Sequence, residues 1–224
     1  MLRFAQHDNR GVSTGHAERS NAESKHLSAP MPNVHWITVV YLVLLIILAS
    51  LLSTGCRPDS PKALDLAGNP VDPFVNRAPA VVLLFVQTDC PISNRYAPTI
   101  ARLHTRFQPQ GVAFYLVYPD RREDADAIRG HGEEYGLPGQ ALRDVQHALV
   151  KRVGASVTPE AVVLGARGNI IYRGRIDDRY MALDQMRPQP TRNDLANAIE
   201  AALAGRPPDP SATEAIGCFI ADLQ

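Results

Sequence analysis

The stretch AVVLLFVQTDCPIS, residues 80–93, is the part of the sequence that decides the fold. Its first seven residues form an uninterrupted apolar run of strand length, which is typical of a central strand buried on both faces. Pro91 then opens a segment whose apolar residues recur at helical spacing as far as Phe107. The sequence therefore predicts a buried strand that delivers Cys90 to the first turn of a helix.

That position gives Cys90 a chemical role. A cysteine at a helix N-terminus faces unpaired backbone amides and the positive end of the helix dipole. Both favour the thiolate and lower the thiol pKa, and a thiolate attacks disulfides and oxidised substrates. We therefore predict that Cys90 is a catalytic nucleophile, with a buried structural cysteine as the alternative.

Strands and helices alternate through the rest of the chain. After the first strand and helix, the predicted elements are strands 112–118, 161–164 and 170–173, and helices over 120–135, 145–153 and 191–205. The last two strands form a hairpin, and Thr191 with Asp194 resembles a capping box at the start of the last helix. Parallel strands joined by helices, followed by an antiparallel pair, indicate a mixed sheet covered on both sides.

Three local motifs carry a family resemblance. The sequence Cys90-Pro91-Ile92-Ser93 starts the first helix, and Pro98 follows eight residues after the cysteine. Thr158-Pro159 directly precedes the hairpin. In this order, over residues 61–205, these motifs resemble the α/β thioredoxin-like fold. More narrowly, they resemble the redoxin family of alkyl hydroperoxide reductase and thiol-specific antioxidant proteins.

The resemblance implies thiol–disulfide exchange. It implies that the bond before Pro159 is cis and that Thr158 and Pro159 shape the substrate-binding groove beside Cys90. It also implies that no organic cofactor takes part, because electrons come from a thiol or disulfide protein. Alternatives are a peroxiredoxin-like peroxidase and a binding module that has kept the fold without the activity.

The chain also departs from its apparent family. Ser93 occupies the place of the second cysteine of a CxxC motif, so this is a CxxS variant that cannot close a local disulfide. Ser93 remains a candidate catalytic residue, against the simpler interpretation that its hydroxyl satisfies the helix terminus. Leu84 stands where reductases carry a buried acid, and Leu83 and Gln87 replace the proline and threonine of the peroxiredoxin motif.

Cys218 is a candidate partner for Cys90. It lies in a small apolar island, residues 215–220, within an otherwise polar tail, 206–224. Such an island is expected to dock on the domain surface, where Cys218 could act as a resolving or structural partner. The alternatives are a lone buried cysteine in the docked tail, metal binding and pairing with a cysteine of another molecule. Because the histidine and cysteine spacings match no metal rule, we expect no metal site.

The N-terminal third predicts the location of the protein. A polar leader, residues 1–35, precedes 17 uncharged residues, 36–52, which would span roughly 26 Å as a helix. The sequence LSTGC that ends at Cys56 resembles a bacterial lipobox, so Cys56 is a candidate lipidation site. An uncleaved signal anchor is the alternative. Basic residues before the apolar run place the domain, 62–205, outside the cytoplasm after a short tether, 57–61.

Composition excludes other classes of protein. The 224 residues contain 23 Lys and Arg and 23 Asp and Glu, so the chain lacks the basic surplus of a nucleic-acid-binding protein. An apolar share of 45% exceeds that of a disordered protein. The charged segment 173–180 is either an ion-paired loop or a rim from which an arginine stabilises the Cys90 thiolate.

Overall fold

A computed structural model describes residues 34–52 and 62–221, and the chain divides into two units, 1–55 and 56–224. The first unit contains helix α1, Val34–Leu52, on which Trp36 and the large apolar side chains as far as Leu45 are exposed. No helix within the described segments is both long and apolar enough to cross a membrane. The predicted lipidation site Cys56 and the tether lie outside the described residues.

The second unit contains all of the strands and the other four helices in the described part of the chain. The strands are β1 Ala63–Asp65, β2 Pro70–Val71, β3 Ala80–Phe85, β4 Ala113–Tyr118, β5 Gln140–Arg143, β6 Val157–Thr158, β7 Glu160–Gly165, β8 Ile170–Gly174, β9 Tyr180–Ala182, β10 Gln185–Met186 and β11 Cys218–Phe219. The helices are α2 Pro91–Phe107, α3 Ala125–Tyr135, α4 Ala148–Val153 and α5 Asp194–Leu203. Short 3-10 turns lie at Pro73–Val75 and Gln108–Gln110.

Seven strands form one mixed sheet in the order β2-β1-β5-β4-β3-β7-β8. Strand β3 is central: it runs parallel to β4 and antiparallel to β7. The hairpin of β7 and β8 was predicted, and it completes one side of the sheet. Two small sheets, β9 with β10 and β6 with β11, lie outside this main sheet.

Alternate residues of β3 enter two hydrophobic cores. Val82 and Leu84 pack in a core that also contains buried residues of α2, α3 and α5. Leu83 and Phe85 pack on the opposite face with α4. Every residue of β3 is buried, as expected of a strand covered on both faces. The α/β thioredoxin-like architecture with helices on both sides of a mixed sheet is therefore confirmed.

Several details differ from the sequence prediction, which also lacked the short strands β1, β2, β6, β9, β10 and β11. Strand β5 was missed because only Leu142 of its residues is fully buried. The helix predicted over 120–135 begins only at Ala125, after a cap by Asp124. The predicted capping box is wrong: Thr191 instead donates hydrogen bonds to Asp178, both from its amide, at 2.6 Å, and from its hydroxyl.

Candidate active site

Cys90 is the N-cap residue of α2, at the end of the loop that leaves β3. Pro91 occupies the first helical turn, where its missing N–H costs no hydrogen bond. The Cys90 side chain is 1% exposed and belongs to the larger hydrophobic core. The central strand and the start of the helix therefore hold the predicted nucleophile inside the larger hydrophobic core.

Thr158 and Pro159 lie directly beside Cys90. The Thr158–Pro159 peptide bond is cis, as the resemblance implied. The carbonyl oxygen of Thr158 accepts a hydrogen bond from the Cys90 thiol at 3.0 Å, and Thr158 is completely buried. Thr158 also ends β6, which pairs only with the tail strand β11 among the described strands.

The C-terminal tail brings Cys218 to the same place. Strand β11 runs antiparallel to β6, with Cys218 opposite Thr158 and Phe219 opposite Val157. The amide of Ile220 donates to the Ser156 carbonyl at 3.0 Å and extends the pairing. The apolar island of the tail thus docks as a short strand on the residue that contacts Cys90.

Gly217 makes this close approach possible. A β-carbon at this position would lie far nearer to the Thr158 carbonyl group than side-chain carbons are found in proteins. Upstream, the tail is fastened at Thr213. Its amide donates to the Arg173 carbonyl at 3.0 Å, and its hydroxyl lies 2.7 Å from the Tyr172 hydroxyl. The tail therefore has two attachments, one on β8 and one on β6.

The sulfur atoms of Cys90 and Cys218 are 2.7 Å apart, and both cysteines are free thiols. Burial by itself would raise the Cys90 pKa, but hydrogen bonding from the Cys218 thiol and the nearby Ser93 outweigh it, so the Cys90 pKa lies below its ordinary value. Burial, together with the hydrogen bond to Cys90 and its charge, raises the Cys218 pKa to about 12. Cys90 is the acidic member of the pair, and Cys218 keeps its proton.

Ser93 lies one turn into α2 and is 1% exposed. Among the described residues its hydroxyl makes no well-directed hydrogen bond, so it does not satisfy the helix terminus as the simpler interpretation assumed. Its hydroxyl and its amide both help to lower the Cys90 pKa. Ser93 is therefore a polar neighbour that favours the thiolate, in the place where a CxxC protein has its second sulfur.

Glu123 supports the loop before Cys90, and the sequence analysis missed it. Its Oε1 accepts a hydrogen bond from the Thr88 amide at 2.6 Å, whereas its Oε2 has no partner in the described structure. Burial raises the pKa of this carboxyl group. Glu123 lies in a stretch so rich in charge that the sequence resembles a solvated surface, and nothing in the local pattern marks one acid as buried.

A second polar chain holds the same loop from α2. The Asn94 side chain donates to the Thr88 carbonyl at 3.0 Å and lies 2.8 Å from His131 Nε2. His131 Nδ1 lies 2.9 Å from the Tyr118 hydroxyl. Burial lowers the His131 pKa, so the neutral ring links the two side chains. Because these residues lie on three elements, only the folded chain shows that they support Cys90.

The charged segment 173–180 does not stabilise the thiolate. Arg173 contacts Glu160 and the Gly154 carbonyl, while Arg175 pairs with the buried Asp194 at 2.7 Å. Within residues 62–221, the hydrogen bonds of the Cys90 sulfur involve Thr158 and Cys218 and no arginine. The same residues contain no cluster of three or more His, Cys, Asp and Glu side chains arranged to hold a metal ion.

An open groove of about 760 Å³ runs along the outer side of the docked tail. The tail supplies one wall through residues 213–217 and Phe219, and the turn of residues 181–184 supplies another. Phe219 and Leu183 are 82% and 61% exposed. Gly217 and Phe219 line this groove, whereas Cys218 between them contacts Cys90 on the other side of the strand.

The fold and the placement of the cysteine define a protein of the thioredoxin-like class, with Cys90 at a helix N-terminus beside a cis proline. Residues 60–173, about half of the chain, match the AhpC/TSA family. The chain belongs to that family. A comparison with curated proteins found no match.

Two solved structures with TM-scores of 0.60 and above share the fold, and a third is a weaker match. An uncharacterized conserved protein from Geobacillus kaustophilus is 24% identical, with a TM-score of 0.62 over 72% of this chain and 88% of the other. A hypothetical protein from Sinorhizobium meliloti 1021 is 23% identical, with a TM-score of 0.60 over 71% and 88%. A secreted disulfide oxidoreductase from Mycobacterium tuberculosis is 20% identical, with a TM-score of 0.45 over 65% and 96%.

Proposed function

We propose that this protein is a thiol–disulfide oxidoreductase in which Cys90 is the nucleophile and Cys218 the resolving cysteine. The observation that carries the proposal is the contact between the two sulfur atoms, 2.7 Å apart beside the cis Pro159. A disulfide requires about 2.05 Å, so only a small movement is needed for the two sulfur atoms to bond when a substrate disulfide takes up their two electrons. Cys218 thereby supplies the second sulfur that the CxxS motif lacks.

The reaction begins with the Cys90 thiolate, which is the more acidic of the two thiols. It attacks one sulfur of a substrate disulfide, forms a mixed disulfide and releases the first substrate thiolate. Cys218 then loses its proton and attacks the Cys90 sulfur, which releases the second substrate thiol and leaves a Cys90–Cys218 disulfide. Because Cys90 is 1% exposed, β11 must leave β6 before a polypeptide substrate can reach it.

A non-reducing peptide map after mild oxidation tests the pairing. The expected result is a Cys90–Cys218 disulfide that dithiothreitol reverses. Reduction of insulin then tests the roles: Cys90→Ala should abolish the dithiothreitol-driven catalysis, and pre-reduced Cys218→Ala, freed of dithiothreitol, should stop at a mixed disulfide on Cys90. Two thiols that stay free under oxidation, together with full activity of Cys90→Ala, would overturn the proposal.

A peroxidase is a second candidate, favoured by membership of the AhpC/TSA family. Cys90 would take one oxygen from a hydroperoxide to give a sulfenic acid and an alcohol, and Cys218 would condense with it, releasing water. Leu83 and Gln87 in place of the peroxiredoxin residues count against this candidate. Stopped-flow measurement distinguishes the two: peroxide consumption that saturates and depends on Cys90 would favour the peroxidase.

We also propose that the domain works outside the cytoplasm, tethered to a membrane by the segment 36–56. The support is the uncharged apolar run and the lipobox-like sequence that ends at Cys56. Lipidation of Cys56 predicts a mature chain that begins at this residue and carries acyl chains. An uncleaved signal anchor predicts that the leader is retained. The mass of the N-terminal peptide from membranes of expressing cells separates these forms, and a fully water-soluble chain would contradict both.

A further inference from the structure

The two sulfur atoms of the pair differ in their access to solvent. Cys90 is 1% exposed within the larger hydrophobic core, at the buried start of α2. Cys218 is only partly buried and lies on β11, whose outer edge pairs with no other described strand. A nucleophile that attacks a disulfide approaches along the line of the S–S bond, from the side opposite the leaving sulfur. For Cys90 that approach begins in the packed core.

Oxidation maintains this difference in access for as long as the disulfide is intact. In the reduced protein, β11 can leave β6 by breaking a few hydrogen bonds, among them that of Ile220 to Ser156. In the oxidised protein, the disulfide fastens β11 over Cys90. The route by which a substrate reaches Cys90 is therefore closed in the state that a reductant must attack.

We propose that a reducing thiol attacks the oxidised protein at the sulfur of Cys218 and not at that of Cys90. The inference rests on the proposed function, because it presupposes a Cys90–Cys218 disulfide. The partner thiolate forms a bond to the Cys218 sulfur, the S–S bond breaks, and Cys90 leaves with the electron pair as a thiolate. A second partner thiol then attacks the partner sulfur of the mixed disulfide. Cys218 leaves and takes up a proton, and the partner becomes a disulfide.

The chemistry of the leaving group agrees with this direction. A thiol of lower pKa leaves a disulfide faster. Attack at Cys218 expels Cys90, whose thiolate the hydroxyl and the amide of Ser93 favour, whereas attack at Cys90 would expel Cys218, whose pKa is raised by burial. Access and leaving-group chemistry thus favour the same sulfur.

The experiment maps the first mixed disulfide in the full-length, detergent-purified protein. Oxidised protein is mixed with excess reduced glutathione, quenched with acid after milliseconds to seconds, digested with pepsin at the same acid pH and analysed by mass spectrometry. At the earliest times we expect at least ten times more glutathione on the Cys218 peptide than on the Cys90 peptide. Equal amounts, or an excess on Cys90, would overturn the inference.

A control tests whether the preference of glutathione for Cys218 depends on the folded structure. The same oxidised protein in concentrated guanidinium chloride has no shielding core, and we expect the two peptides to carry similar amounts of glutathione. An equally strong bias in the unfolded chain would overturn the argument from access. Failure of the proposed function is visible earlier and separately, because the peptide map of the starting material would then show no Cys90–Cys218 disulfide.

Discussion

The start of α2 and the docked tail strand β11 place two cysteines side by side, but the two cysteines differ in burial and in how they are held. The first lies after the central strand, is itself the N-cap of α2 before Pro91, and is buried in the core. The second lies on a two-residue strand held by one neighbour. The thiol of lower pKa lies in the buried region and the thiol of raised pKa on the short tail strand. Under the proposed function, Cys90 stays in place in the core while Cys218 moves away with β11 to admit a substrate.

The largest expected effect concerns the covalent link between the two regions. Cys90 and Cys218 are 128 positions apart, so their disulfide closes a long loop. In the chain-entropy description, such a loop stabilises the fold by about 3–5 kcal/mol. Guanidinium unfolding with and without dithiothreitol measures the difference. Cys218→Ser should unfold identically under both conditions, and a redox-dependent midpoint in that variant would show that another disulfide is responsible.

Gly217→Ala is expected to disrupt the pairing of β11 with β6 without changing either cysteine. The new methyl group would meet the Thr158 carbonyl, so the tail must shift, at a cost of about 1–3 kcal/mol. Cys90 in the reduced protein should then react faster with iodoacetamide. Gly130→Ala on α3 is the matched control, because its β-carbon meets nothing within 4 Å. Equal alkylation rates in the two variants would mean that the tail does not shield Cys90.

Substitutions of Glu123 test the loop that supports Cys90. Glu123→Ala leaves the Thr88 amide without its acceptor, which should destabilise the fold by about 1–3 kcal/mol, whereas Glu123→Gln keeps an acceptor oxygen. Because the folded-state pKa of Glu123 is raised, its contribution is full below about pH 4.5 and is lost as the pH rises through the folded pKa. Urea unfolding from pH 4 to pH 8 should show Glu123→Gln gaining on the wild type as the pH rises. Parallel pH profiles would contradict the burial of the charge.

The smallest expected effects are changes in pKa within the pair. Cys90→Ala removes a hydrogen bond and a charge that raise the Cys218 pKa, so this pKa should fall from about 12 towards 9.0, without reaching it because burial remains. Cys218→Ala should raise the Cys90 pKa, because the thiol that hydrogen-bonds to the thiolate is lost. The pH dependence of alkylation measures both. A Cys218 pKa that stays near 12 in Cys90→Ala would show that the two thiols are not coupled.

The sequence predicted the features that local patterns determine. The apolar run of β3, the helix start at Cys90 and the Thr158–Pro159 motif each occupy a few consecutive residues, and together they identified the fold. The tail was harder to predict. An apolar island around Cys218 indicated docking, but only the pairing of β11 with β6 shows that it docks on Thr158.

Other features of the structure could not be predicted, because they depend on contacts between residues that are far apart in the sequence. Thr191 is a residue type that often caps helices, but its amide donates a hydrogen bond to Asp178 instead. Glu123 and His131 resemble surface residues in a charged segment, yet both are buried. Glu123 accepts a hydrogen bond from the Thr88 amide, and His131 hydrogen-bonds with the Tyr118 hydroxyl. Burial of a polar side chain depends on a partner elsewhere in the chain, and hydrophobic periodicity carries no information about that partner.

The position of β11 along the chain also affects biogenesis. All seven strands of the main sheet are complete by Gly174, whereas Cys218 emerges 44 residues later. A nascent or truncated chain that ends between these points contains every strand of the sheet and displays Cys90 without its partner. During synthesis, the proposed nucleophile therefore passes through an interval in which another thiol or an oxidant can react with Cys90 before Cys218 is present. Completion of the tail ends that interval.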